Sequence, residues 1–564
     1  MPDTHRSYEA NPRYAAVGGD VRAGWRQAVD ELPAGTRVLA VDGPWLLDWD
    51  AVVKGLTAAV PGLVTVDVRD HLADWATIGA RTDTSDLTGD PHFAKLSDAT
   101  LADFFADLPT VSPADTLTVV FGPGAALVAH DTLWYADLPK RYAEAAIGDG
   151  TGTNLGQPAG SGAGTTRRLF YIDWPILDRH RDELAPRLDR YLDTQQSDEP
   201  VSLSGAALRG TAEWLAQRPF RTRPTFNTTP WGGQWARTEL GFNPDAQNTA
   251  LGYELIAPES GVLVGTADAA VELPFQVLVA LHPERVLGAE VHRTFGTSFP
   301  IRFDYLDTVA GGNLSVHCHP QSTYMSEVFG WPYTQHETYY MMVGSEQNTV
   351  YLGLREGVDV EAFQADAHAA DHAGTPFDIT TYVQTFPAEK HQLFLIPGGT
   401  PHGSGKGNVV LEVSATPYLY SLRFYDWLRR DAKDRQRAVH VEHAFRNLNT
   451  QRTGEAVGAD LVQSPRTLRD GAGWREELLG ELPEMFFTVH RVDVSAGVEA
   501  PDDTAGRFHV INVVEGDGVV VRTASGAEHR LNYAETLVLP AAVGRYTLTG
   551  LGAVASRVVK AYVR

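Results

Sequence analysis

Two hydrophobic rhythms divide the chain. In the first third, short continuous apolar runs alternate with a stretch of helical spacing. "TRVLAVDG" (36–43), "LVTVDVRD" (63–70) and "TLTVVFGPGAALV" (116–128) read as strands, and "DWDAVVKGLTAAV" (48–60) reads as a helix. "RRLFYIDWPILDRHRDELAPRLDRYL" (167–192) reads as a strand leading into a helix. This alternation predicts an α/β layer on a largely parallel sheet. From about residue 220 the runs shorten and Gly/Pro turns separate them: "FPIRFDYLD", "LSVHCHP", "ETYYMMV", "HQLFLIP", "NVVLEVSA". Short strands between such turns predict a sandwich or barrel. A helical insert is expected within 355–390, and 424–449 leads out of the barrel. From about 484, "FFTVHRVDV", "FHVINVVEG" and "GVVVRTA" predict a second, smaller barrel. The expected division is 1–215 (α/β), 216–450 (barrel with helical insert) and 451–564 (second β domain).

Composition narrows the partners. A chain of 564 residues is too long for one core. Its net charge of −24, from 71 acidic and 47 basic residues, repels phosphate backbones and anionic lipid, so neither nucleic acid nor a membrane surface is an expected partner. The single cysteine, Cys318, rules out an intramolecular disulfide and suits a reducing compartment. The polar start "MPDTHRSYEANPRY" has no apolar signal core, and no apolar run reaches the ~18 residues of a membrane span. A soluble cytoplasmic protein is expected; oligomeric state stays open.

The α/β region also lacks a phosphate loop. After the first strand stands Gly43-Pro44-Trp45, and the Gly-rich stretch 148–166 has no GxxxxGK[ST] pattern. That stretch reads as a flexible loop. The region looks like a nucleoside-kinase-type fold without its ATP loop, with a structural or regulatory role.

Chemistry concentrates in "GGNLSVHCHPQSTYM" (311–325). Strand side chains alternate faces, so His317 and His319 share one face with Ser315, while Leu314, Val316 and Cys318 face the packing layer. Glu337 heads a later strand, and His402 follows the Pro397-Gly398-Gly399 turn. Two close histidines, an acid and a distant histidine after a Pro-Gly turn form the ligand order of a cupin. Three imidazoles and one carboxylate suit zinc, with manganese, iron or cobalt as alternatives. His490, His509 and His529 are scattered and are expected on the surface or as satisfied core residues.

In this order, "LSVHCHP", the Glu337 strand, "IPGGTPHGSG" and "LRFYDWLRR" resemble class I phosphomannose isomerase, a zinc cupin enzyme. "PWGGQW" (230–235) and the C-terminal β segments resemble further parts of that family, and the likeness covers about 220–564. It implies one divalent metal on His317, His319, Glu337 and His402. It also implies an active-site Arg423, an acidic Glu412 near the substrate, and Ser315 helping to hold a sugar phosphate. His317 stands where the family has glutamine. Two family lysines are replaced, by Gln335 and Asp304; Arg302 and Lys406 are the candidate substitutes for holding phosphate. The implied chemistry is aldose–ketose isomerisation of mannose 6-phosphate and fructose 6-phosphate through a cis-enediol. The lysine losses leave room for an unphosphorylated sugar. A non-catalytic sugar sensor and metal-dependent oxygen chemistry are the other readings.

Overall fold

The computed structural model describes residues 7–111, 115–431 and 433–564. Most of the polar N-terminal stretch is among them; Met1–Arg6 lies outside.

The first domain is built on a seven-stranded sheet. Its spatial order is Arg22–Ala23, Val201–Ser204, Arg190–Asp193, Thr132–Asp137, Val38–Asp42, Thr118–Phe121, Val64–Asp67. The last five run parallel, and Val201–Ser204 is antiparallel to its neighbour. Leu39, Val41 and Val119 face one apolar cluster with the helix Trp49–Ala59; Val38, Ala40 and Val120 face the other. Burial on both faces is why these strands are apolar without alternation.

One expectation fails here. "RRLFYID" is helical, not a strand: Thr166–Arg168, a π-helical turn Leu169–Asp173 and Trp174–Leu184 run on continuously. A short apolar run carries no periodicity of its own, and Leu169, Tyr171 and Ile172 are buried as helix residues. The Gly-rich stretch is also more built than a flexible loop implies. Asn154, Leu155 and Gln157 are buried, and Asn154 Nδ2 donates to Asp173 Oδ2 at 2.9 Å.

The central domain is a pair of antiparallel sheets. One has the order Leu393–Ile396, Glu337–Val343, Val409–Ala415, Ile301–Asp307, Leu251–Leu255, Thr225–Asn227. The other has Val383–Pro387, Thr349–Leu354, His402–Ser404, Val316–Cys318, Leu422–Tyr425. The insert helix spans Val360–Ala373. The C-terminal domain pairs a six-stranded with a four-stranded sheet, and its first strand, Arg466–Gly471, precedes the β-rich segments read from about 484.

The domain borders differ from simple cuts. Arg13–Tyr14 pairs with Leu263–Val264 of the central region, so the first residues leave the α/β layer. The helix Glu455–Leu461 buries Val457 and Leu461 in the core shared with the central sheet. That core continues into the C-terminal sheet through Val489, Val510 and Val559, while Val492, Ile511 and Val558 fill that domain's own interior. No helix among the described residues is long and apolar enough to cross a membrane.

Candidate active site

His317, His319 and His402 come together between the two central sheets; their ligand-capable nitrogens lie within 4.8 Å of one another. The placement follows from the backbone. His317 sits opposite His402 across one ladder and opposite Arg423 across the next. The Pro397-Gly398-Gly399 turn carries His402 into place. Gly399 has φ +85°, and a Cβ there would come within 2.5 Å of Asn447 O. The amide of Gly399 donates to His319 O at 2.8 Å, tying both ligand segments together.

The tautomers are set by carbonyls, which only accept. Nδ1 of His317 donates to Ser315 O (3.0 Å), that of His319 to Tyr420 O (3.3 Å), and that of His402 to Thr400 O (2.8 Å). Each Nε2 is thereby the nitrogen turned toward the other ligands, the usual preparation of a metal-binding histidine. Glu337 faces them from the other sheet: its Oε2 lies 2.5 Å from His319 Nε2 and its Oε1 3.6 Å from His402 Nε2. His402 Nε2 and Glu337 Oε1 are buried without a hydrogen-bond partner. An unpartnered imidazole nitrogen and an unpartnered carboxylate oxygen buried side by side favour a cation between them, so the donor set fits a zinc-like divalent ion. Burial holds the His317 imidazole far below its ordinary pKa, with the other two histidines adding to the effect. The neighbouring imidazoles overcome burial to hold the Glu337 carboxyl well below its own.

Beside His317, His319 and Glu337 lies a cavity of about 160 Å³ lined also by Arg302, Asp304, Ser315, Gln335, Glu412 and Arg423, with His402 buried behind them. Arg302 pairs with Glu412 and donates from Nε to Ser414 Oγ at 2.5 Å; Asp304 Oδ1 is 3.6 Å away and has no hydrogen bond of its own. Asp304 and Glu412 oppose each other in the ladder. Burial pushes Asp304 up to about 7 and Glu412 well above the ordinary carboxyl value, against the pull of Arg302. Gln335 donates to Glu337 Oε2 at 3.1 Å. Lys406 is not brought in. It is exposed on a turn, its amide donating to Asn313 Oδ1, and it does not line the cavity. Nor do His490, His509 and His529, which bond to Glu476, Tyr546 and Tyr14 respectively. Leu314 lines the cavity instead of facing away, because the regular strand starts only at Val316.

Sequence reasoning missed Arg437. It lines the cavity beside Arg423 and is held at 2.8 Å by Asp426 Oδ2, the aspartate of the quoted "YDW". Arg429 takes the other oxygen of Asp426 at 2.9 Å. Arg423 has no carboxylate partner; Nη1 donates only to Ala438 O. Burial, with Arg437 beside it, lowers Arg423 to about 10. Tyr339, Tyr253 and Tyr418 complete the wall, as does Trp231 of "PWGGQW".

With the fold and pocket defined as a metal-type double-barrel site, known proteins can be set beside it. Residues 24–217 match the family described as "Domain of unknown function (DUF8485)". The chain is 26% identical over 325 residues to mannose-6-phosphate isomerase of Streptococcus mutans, covering 57% of this chain and 92% of that one. It is 23% identical over 335 residues to the probable mannose-6-phosphate isomerase GmuF of Bacillus subtilis (59% and 96%). The crystal structure of the Bacillus subtilis mannose 6-phosphate isomerase matches with a TM-score of 0.48 at 20% identity, over 61% of this chain and 99% of that one. A zinc-bound mannose 6-phosphate isomerase matches with a TM-score of 0.47 at 16% identity (62% and 100%).

Proposed function

We propose that this chain is a metal-dependent aldose–ketose isomerase that interconverts mannose 6-phosphate and fructose 6-phosphate. The observation that carries this reading is the convergence of three imidazoles and Glu337 beside a cavity that also holds Arg423, without a carboxylate partner, and two carboxylates of raised pKa. The curated relatives named for this activity support it.

His317, His319, Glu337 and His402 would hold one divalent ion, most naturally zinc, which supplies Lewis-acid stabilisation of oxygen charge. The chain's own groups do the rest. Arg429 and Arg437 divide the one carboxylate of Asp426 and Arg423 has none, so this end of the cavity is positive and holds the anionic end of the sugar. This is the replacement for the two missing lysines, in a place where Lys406 does not reach. Ser315 lies beside His317 and adds a hydroxyl; Gln335 orients Glu337.

Proton transfer between C1 and C2 falls to the Asp304–Glu412 pair. Buried together on one guanidinium, they retain a proton between them near neutral pH. Their oxygens can take the C–H proton and return it at the neighbouring carbon. Trp231 and Tyr418 wall the cavity and limit water. The N-terminal domain we read as kinase-like without a phosphate site. At the end of its first strand, Asp42 itself takes the amides of Gly43 (2.7 Å) and Ala126 (2.8 Å), where an anion would sit. The single cysteine, buried, suits the reducing cytosol.

The test is a coupled assay with metal-analysed protein. Conversion of mannose 6-phosphate should be abolished by a chelator and restored by zinc, and His402→Ala should lose metal and turnover together. Turnover that survives in a metal-free His402→Ala protein overturns the reading.

A further inference from the structure

A second cleft opens between the N-terminal and central domains. It has two lobes, of about 60 and 230 Å³, joined at Lys140, Trp174, Asp178 and Pro258. It lies where the parallel strands Val38–Asp42 and Thr132–Asp137 end, since Pro44, Trp45 and Asp137 to Lys140 line it. Those two strands are adjacent, and the chain order reverses at the first, so this is the switch point where open α/β sheets take ligands.

The lining specifies the ligand's chemistry. Most of its cations are already paired: Lys140 with Asp178 at 2.5 Å and Arg181 with Asp182 at 2.8 Å, while Arg179 donates to Ala99 O and Glu259 accepts from the Tyr418 hydroxyl. Of the lining cations only Arg179 has no ion pair, so a strongly anionic ligand would find little counter-charge. What remains is hydrogen-bonding capacity. The buried Asp173, whose Oδ1 has no hydrogen bond and lies 3.4 Å from Arg168 Nε, lines one lobe, and Gln276, which donates one amide hydrogen to Thr297 O and keeps its carbonyl oxygen, lines the other. Between them stand aromatic faces, Trp174, Trp331 and Phe170. Hydroxyl donors and acceptors against flat aromatic rings match a sugar, whose hydroxyls give and take while its C–H face stacks.

We propose that this interdomain cleft binds an uncharged hexose, at a site separate from the His317 cavity. Tyr418 lines both the larger lobe and the His317 cavity, so only one side chain stands between them there.

The experiment titrates the full-length protein with D-mannose and D-glucose, read by tryptophan fluorescence and calorimetry to tens of millimolar. Saturable binding is expected, and it should persist in His402→Ala. Trp331→Ala should weaken it by about tenfold or more through loss of stacking. Gln276→Leu, which leaves the walls intact, should weaken it as well, so a misfolded Trp331 variant does not decide the matter. The proposal is overturned by absence of saturable binding in the unaltered protein. It is equally overturned by binding that disappears in folded His402→Ala, or by full affinity in both folded cleft variants.

Discussion

At the scale of single residues, the paired guanidiniums of Arg423 and Arg437 at one end of the His317 cavity decide what end of a substrate it holds. Arg437→Ala removes one of the charges beside Arg423 without touching the metal-type ligands. A charge-assisted hydrogen bond contributes roughly 1.5–3 kcal/mol, so KM for mannose 6-phosphate should rise by about 10- to 100-fold. Any turnover of free mannose should be unaffected. Equal effects on both sugars in steady-state kinetics would remove Arg437 from phosphate binding. Titration offers a second handle, far from the cavity. His509 is buried, and burial, aided by Lys560, lowers its pKa to about 3. It stays neutral in the folded chain but takes a proton on unfolding below about 6.5, so folding stability falls as pH drops from 6.5 towards 3. His509→Gln should flatten that slope by up to about 1.4 kcal/mol per pH unit, measured by urea unfolding at several pH values.

At the scale of elements, legibility depended on whether a segment advertises its own chemistry. The ligand strand and the Pro-Gly-Gly turn could be read because His317, His319 and His402 are rare residue types in a fixed order, and Gly399 marks a turn no other residue fits. Arg437 could not be read. It sits in irregular chain between the strand Leu422–Tyr425 and the helix Val441–Asn447, and only the folded position of Asp426 aims it. "RRLFYID" failed for a different reason: five residues of π-helix bury like a strand and have no period to betray them. Arg221 was equally silent. It lies just before the strand Thr225–Asn227 and is buried between Glu535 (2.9 Å) and Glu254 (3.7 Å), its Nη1 also donating to Glu9 O. It thereby joins the chain start, the central sheet and the C-terminal barrel. Arg221→Met leaves two buried carboxylates opposed and should cost about 3–5 kcal/mol in chemical denaturation. Adding Glu254→Gln and Glu535→Gln should recover much of that loss; no recovery would mean that packing, not charge, makes the residue necessary.

At the scale of the whole molecule, three sequence regions do not amount to three independent units. One apolar cluster runs from Val120 and Tyr171 of the first domain to Val316, Phe329 and Tyr420 of the central one, with the Phe93 ring 5.3 Å from that of Phe329 and tilted by 50°. Another runs from Phe303 and Met341 to Val510 and Ala561 of the C-terminal barrel. Polar contacts cross the same borders: Arg141 donates twice to Glu272 at 2.8 Å, and Tyr305 donates to Ala534 O at 2.8 Å. No hydrophobic rhythm along the chain could disclose this, since a strand buried against another domain has the same pattern as one buried in its own. Cores shared in this way make each domain's native state conditional on its neighbour's, so unfolding should be one cooperative transition despite the length of the chain. Far-ultraviolet dichroism, tryptophan fluorescence and calorimetry should give coincident midpoints in the metal-loaded protein. Separate transitions, with the α/β layer melting apart from the His317 region, would show that the shared clusters contribute little. They would also undercut the interdomain cleft, whose walls come from both sides of that border.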